Sequence, residues 1–259
     1  MELFDTHCHI HFPDYGADPE VAVQSAVEAG VSRLLCVGCS LRDSQLAIDF
    51  ARDHEGVWAS VGLHPHEADK YVGNTKALAA FGDLAGRPKV VAVGETGLDY
   101  YYGHSTKANQ IALLRFQLEL ATLHNLPLIF HVRDAFADFW KIFDEFCLAG
   151  ARPRGVVHSF SSGLDDLEQV LSRDLYVGLN GIMTFTKSED QLAAARAIPL
   201  EKLVLETDAP FLTPTPYRGT ICMPKHVRVT GEFLRHLRSE SFEQLAEATT
   251  TNARQLFGL

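Results

Sequence analysis

Short apolar or β-branched runs alternate with longer amphipathic stretches along the whole chain, and this alternation constrains the fold more than any other feature. The runs fall at residues 3–5, 33–37, 57–61, 90–93, 128–130, 155–157, 175–177 and 203–205. Strands separated by helical crossovers pair in parallel, because a helix is what carries the chain back to the starting edge. About eight such βα units in 259 residues predict an α/β fold of the (β/α)8 TIM-barrel type, a single domain spanning 1–259. An open doubly wound sheet would show the same alternation, so closure is an expectation for the structure to decide. Helix signals fill the intervals. Ser105-Thr106 precedes a periodic stretch over 108–123, with Ile111, Leu114, Leu118 and Ala121 on one face, and Asn125-Leu126-Pro127 ends it. The last two helical stretches, 225–237 and 241–257, have no strand between them.

The interiors of such barrels are packed and their chemistry sits where the strands end, so the residues following each run matter most. After the first come His7 and His9, an i, i+2 pair whose imidazoles leave a strand on one side. After the third come His64 and His66, and after the fourth Glu95. The fifth is followed by His131 and Arg133, the sixth by His158, and the eighth by Asp208. Imidazoles and carboxylates gathered at one rim suit divalent metal ions, and a pair of ions roughly 3.5–4 Å apart can generate hydroxide at neutral pH. A lone strand-end histidine is ordinarily a satisfied structural group. Ligand-type residues after so many of the strands are not explained that way.

Composition narrows the partners. Net charge is −10, which excludes a broad basic platform for nucleic acid but leaves a nuclease open, since bound cations supply local positive charge. No apolar run approaches the roughly 20 residues needed to span a bilayer, and the first residues carry no signal-like segment, so a soluble cytoplasmic protein without membrane association is expected. The five cysteines are scattered, against a disulfide framework. Cys36 and Cys39 lack a second pair at zinc-ribbon spacing and read as buried thiols.

These blocks together resemble the TatD family of metal-dependent hydrolases, within the amidohydrolase-like barrel superfamily. The matching segments are Asp5-Thr6-His7-Cys8-His9, Gly62-Leu63-His64-Pro65, Gly94-Glu95-Thr96-Gly97-Leu98-Asp99-Tyr100-Tyr101 and His131-Val132-Arg133-Asp134. They continue through His158-Ser159-Phe160-Ser161 and Glu206-Thr207-Asp208-Ala209-Pro210 to Asn252-Ala253-Arg254-Gln255-Leu256-Phe257. The resemblance implies two divalent ions, of zinc, manganese or magnesium. It makes His7, His9 and Asp208 ligands of one, His131 and His158 ligands of the other, and Glu95 the carboxylate bridging both. The related phosphotriesterase branch bridges with a modified lysine, so Glu95 speaks against that branch. The implied activity is that of a deoxyribonuclease, exonuclease-like and acting on DNA, single-stranded or at ends, with no obligate protein partner and as a monomer.

In that reading Asp208 and Glu95 are the catalytic carboxylates, Asp208 accepting the proton of the attacking water. His64, Arg133 and Arg218 are candidate substrate contacts, a guanidinium being suited to a phosphate. Asp99 is a candidate for orienting a ligand histidine through its other ring nitrogen. His66 has two readings, a contact like that of His64 or a solvated loop residue. Tyr100, Tyr101 and Tyr102 have two readings, stacking on exposed bases or packing beneath the following helix. One departure stands out: where family members often carry Asn-Glu-Pro, this chain has Cys222-Met223-Pro224. The alternatives are the same site acting on RNA, a phosphomonoester or an aminoacyl-tRNA ester, and, more remotely, a non-catalytic binding barrel.

Overall fold

The computed structural model describes residues 2–259. Eight strands form one sheet in sequence order: β1 (Leu3–Cys8), β2 (Val31–Val37), β3 (Val57–Val61), β4 (Val90–Asp99), β5 (Leu128–Arg133), β6 (Gly155–Val157), β7 (Tyr176–Leu179) and β8 (Leu203–Leu205). The connections carry helices α1 (Pro19–Glu28), α2 (Leu41–Asp53), α3 (Ala68–Tyr71), α4 (Thr75–Gly82), α5 (Lys107–His124), α6 (Phe136–Leu148), α7 (Leu164–Ser172) and α8 (Glu189–Ala197). Two more, α9 (Val227–Leu237) and α10 (Phe242–Phe257), follow β8 without an intervening strand, as the sequence predicts. A strand order that never reverses rules out the doubly wound alternative, whose order must turn back at a switch point. This is the (β/α)8 order of a TIM-type fold. No helix among the described residues is long and apolar enough to cross a membrane.

The chain divides into two compact units. The first comprises the residues up to Cys36 together with His158–Leu259. Here β1 pairs in parallel with β2 and β7 with β8. Beyond β8 the chain returns to β1: Cys8 bridges Ala209, His9 N–H donates to the Ala209 carbonyl at 2.7 Å, and Asp208 N–H donates to the His7 carbonyl at 2.8 Å. First and last strands are thereby joined. Helix α10 closes the outside of this seam. Phe257 meets Phe4 at 6.1 Å between ring centroids, and Asn252 donates 2.8 Å hydrogen bonds to the carbonyls of Leu200 and Leu203. That tie gives the C-terminal Asn252-Ala253-Arg254 block a structural purpose, since each satisfied buried bond contributes about 1 kcal/mol.

The second unit is Val37–Val157. Its core includes an aromatic cluster in which Phe130 of β5 packs edge-on against Phe139 and Phe143 of α6, at 5.0 and 5.9 Å. Helix α5 starts where Thr106 caps it and stops at Asn125, which takes the left-handed conformation (φ 53°) that ends many helices. Its buried face holds Leu113, Leu114 and Leu118, each stabilising by about 1.5–3 kcal/mol, but also two glutamines. Gln117 accepts from Leu63 N–H (2.8 Å) and donates to the Leu63 carbonyl (2.9 Å) and Thr96 Oγ1 (2.7 Å). Gln110 clamps Asp99 in the same way, accepting from its N–H at 2.8 Å and donating to its carbonyl at 3.0 Å. Buried amides thus fix the C-terminal half of β4, where the candidate carboxylates lie.

Several strands run further than the apolar runs predict. β1 extends to Cys8, β4 to Asp99 and β5 to Arg133. His7, Glu95 and His131 therefore lie within strands rather than in the loops after them. Strand geometry holds their backbones more rigidly than a loop would.

Candidate metal centre

In the first unit, His7 near the end of β1 and His9 one residue beyond it converge. Their Nε2 atoms lie 3.1 Å apart. Asp208 Oδ1 is 3.6 Å from His7 Nε2 and 3.4 Å from His9 Nε2. Ligands placed about 2.0–2.2 Å from a tetrahedral cation stand roughly 3.3–3.6 Å from one another. Two ring nitrogens and a carboxylate oxygen at these separations fit a shared divalent ion. Both histidines are buried, at 0% and 3% exposure, so the donors are held without solvent competition.

The local backbone is built for this meeting. Asp208 sits at φ 64°, a left-handed conformation that Asp tolerates better than most residues and that clusters at functional sites. Asp5 anchors it: this fully buried carboxylate accepts from Thr207 N–H (2.8 Å), Thr207 Oγ1–H (2.6 Å) and His7 N–H (3.3 Å). Burial pushes the Asp5 carboxyl well above its ordinary range, opposed by those hydrogen bonds. Asp208 goes the other way. Burial alone would raise it, but the hydrogen bond with His9 and the nearby His158 and His7 hold it below the usual carboxylate range.

His158 stacks on His7 at 3.7 Å between centroids and 18° between planes. Its Nδ1 lies 3.1 Å from Glu206 Oε1, which also accepts from Ser159 N–H at 2.5 Å. Gly178 makes room for that carboxylate, because a Cβ there would stand 2.4 Å from Glu206 Oε2. His7, His158 and Glu206 each offer a donor atom within 4.8 Å of the others.

In the second unit the corresponding group is His64, Glu95 and His131, again within 4.8 Å. His131 Nδ1 lies 2.7 Å from Glu95 Oε1, and His64 Nε2 lies 3.5 Å from the same oxygen. Gly62 lets Glu95 reach its place, since a Cβ on it would stand 2.2 Å from the Glu95 nitrogen. Burial drives the His64 imidazole down to about 4 against the pull of Glu95, leaving it neutral at pH 7 with a lone pair for ligation. The far side of His131 is held as well: its Nε2 is 3.1 Å from Asp99 Oδ2, which is also 3.0 Å from His66 Nε2. Burial would raise Asp99, yet the bonds from His131 and the Tyr102 amide hold it far below its ordinary value.

The remaining sequence candidates divide. Arg133 ends β5 with its guanidinium over the rings of Tyr101 and Tyr102, at 4.1 and 4.8 Å. Arg218 is held within its own loop, donating to the Thr213 carbonyl at 2.8 Å and lying 4.0 Å from the centre of the Phe185 ring. Of the two readings of His66, the solvated loop residue is not what is found: it is half-buried, its Nε2 against Asp99. Cys36 is buried as expected, but Cys39 is only half-buried and its thiol lies 3.8 Å from Glu95 Oε2. Sequence reasoning assigned no role to Asp5 or Glu206. Both lie inside motifs already noticed, and two acids just ahead of a ligand-type His or Asp were the available signal.

Comparison with known proteins identifies the family. The family described as TatD related DNase matches residues 4–258. The uncharacterized metal-dependent hydrolase YabD of Bacillus subtilis is 34% identical over 256 residues, spanning 98% of each chain. The 3'-5' ssDNA/RNA exonuclease TatD of Cronobacter sakazakii is 35% identical over 263 residues, spanning 98% of this chain and 97% of its own. Among solved structures, the TatD homologue YJJV from Escherichia coli K12 superposes with a TM-score of 0.91 at 30% identity, covering 99% and 98% of the two chains. With the fold, the histidine and carboxylate groups and the full-length match in agreement, the chain belongs to the TatD-related DNase family and is a metal-dependent hydrolase acting on ester bonds.

Proposed function

We propose that this protein hydrolyses phosphodiester bonds in single-stranded DNA, working inward from an end, with His7, His9, Glu95, His131, His158 and Asp208 as ligands of two divalent ions and 1–259 acting as one catalytic domain. The observation that carries the reading is the convergence of His7 Nε2, His9 Nε2 and Asp208 Oδ1 at 3.1–3.6 Å. Divalent ions bound there supply charge to polarise a phosphodiester and acidify a water. The protein's own residues do the rest. Asp208, ionised at neutral pH, accepts the proton of the attacking water. Asp99 holds His131 in one ring orientation, and Glu206 does the same for His158, so that each presents its other nitrogen. Arg133 offers N–H donors to a phosphate.

RNA is kept as a second substrate, because the Cronobacter relative's name covers both nucleic acids. The test uses end-labelled single-stranded DNA and RNA, metal-stripped protein, and reloading in turn with magnesium, manganese or zinc. Cleavage restored by metal and abolished by Glu95→Gln supports the proposal, and the product ladder gives the direction of travel. Cleavage absent with every metal removes nucleic acid as the substrate, and cleavage unaffected by Glu95→Gln removes Glu95 from the ligand set.

A further inference from the structure

Three consecutive tyrosines follow β4, and they are treated differently. Tyr100 is packed in: its hydroxyl donates to Asp138 at 2.9 Å and Lys107 lies 3.8 Å from its ring centre. Tyr101 and Tyr102 are 59% and 52% exposed. Large rings left in water at adjacent positions are a feature the fold does not need. Nor are they loose. Asp99 Oδ1 accepts from both of their backbone N–H groups, at 2.9 and 3.0 Å, and Tyr100 N–H donates to the Arg133 carbonyl at 3.0 Å. Tyr102 also stacks on His104 at 5.6 Å and 11°. The Arg133 guanidinium covers both rings, and among the described residues it makes no ion pair, so its five N–H donors are free of a carboxylate.

We infer that Tyr101, Tyr102 and Arg133 form a subsite for one unpaired nucleotide, the Tyr101 ring stacking on its base, the Tyr102 ring bracing Tyr101 edge-on (4.9 Å, 88°), and the guanidinium gripping its phosphate. The inference deepens the nuclease reading and rests on it. Flat π faces beside an unpaired cation match a nucleotide, whose base offers a face and whose phosphate offers an anion. A base pair inside a duplex has both faces covered, so the subsite takes an unpaired base. With a net charge of −10, the chain must recognise an anion locally, and this is such a place. The subsite is one side chain away from the candidate metal group, because the second oxygen of Asp99 lies 3.1 Å from His131 Nε2. Tyr101, Tyr102 and Arg133 are thus binding residues, and Asp99 positions them.

The experiment measures binding of a fluorescent ten-residue thymidine oligonucleotide, and of an abasic oligomer of equal length, by anisotropy with EDTA present to prevent cleavage. The wild-type protein should bind the base-bearing oligomer on the order of tenfold more tightly. In Tyr101→Ala/Tyr102→Ala that preference should collapse toward unity, and in Tyr101→Phe/Tyr102→Phe, which keeps both rings, it should persist. Arg133→Gln should weaken both oligomers together. Equal affinity of the wild type for the two oligomers overturns the inference, as does a preference that survives loss of both rings. Because no turnover is needed, failure of metal-dependent cleavage would count against the nuclease reading alone, while this result would still judge the subsite.

Discussion

Gly178→Ala probes how a glycine distant in sequence shapes the centre. A Cβ at this position would stand 2.4 Å from Oε2 and 2.8 Å from Cδ of Glu206. An ordinary contact is about 3.4 Å or more, so the carboxylate must recede by about 1 Å. Its bond from Ser159 N–H, now 2.5 Å, would then approach 3.5 Å, the edge of hydrogen bonding, and its 3.1 Å contact with His158 Nδ1 would open further. Glu206 is 1% exposed, so water cannot replace the lost partners. Hydrogen bonds to a charged group contribute about 1.5–3 kcal/mol, and overpacking alone costs about 1–3 kcal/mol. The expected destabilisation is about 2–4 kcal/mol by urea unfolding, with weaker metal binding because His158 loses its orientation. Shortening the acid should relieve the clash, so Gly178→Ala/Glu206→Asp should be less destabilised than the two single changes added together. A loss below about 0.5 kcal/mol, or strict additivity, would refute the claim that Gly178 exists to seat Glu206.

Three other outcomes follow from the same structure. Metal at about 100 times its Kd should stabilise the stripped protein by about 2.7 kcal/mol for each ion bound, so by about 5 kcal/mol for two, raising Tm by roughly 10–20 °C, and identical melting curves with metal and with EDTA would deny a resident ion. Burial lowers the His226 imidazole to about 4, so the unfolded chain takes up its proton first as pH falls. Stability from this group is present above pH 6.5 and lost on the way down to about 4, by at most about 3 kcal/mol, and His226→Gln should flatten that part of the urea midpoint against pH. Ser241 caps α10 reciprocally with Gln244, at 3.2 Å and 2.8 Å, so Ser241→Ala should cost about 1 kcal/mol in urea unfolding without altering metal binding.

The legible parts of the fold were those that hydrophobic patterning controls. Three apolar runs, at 57–61, 155–157 and 203–205, coincide with β3, β6 and β8, because those strands contain little else. β1, β4 and β5 were cut short where polar residues begin. Thr6, His7, Glu95 and Thr96 are buried in their strands even so, satisfied by partners such as the Leu205 carbonyl for Thr6 and Gln117 for Thr96. A polarity pattern cannot reveal a buried polar strand, since it reports burial only through apolar side chains. The α5 face illustrates the same limit: Leu114 and Leu118 stand out by their spacing, whereas Gln110 and Gln117 are buried beside them without an apolar signal. At the candidate metal centre the ligand-type residues were legible from strand ends and motif spacing. The groups behind them were not, because Asp5 acts through Thr207 and Glu206 through His158 and Ser159, contacts spanning about two hundred and about fifty residues of chain.

The most direct measurement titrates metal-stripped protein with manganese or zinc and follows cleavage of single-stranded DNA against equivalents added, for the wild type and for Asp208→Asn. The account predicts no cleavage without metal, activity rising to a plateau near two equivalents, and a loss on the order of 10²-fold or more in Asp208→Asn at saturating metal. Full cleavage by the stripped protein, or an Asp208→Asn variant matching the wild type at every equivalent, would contradict it.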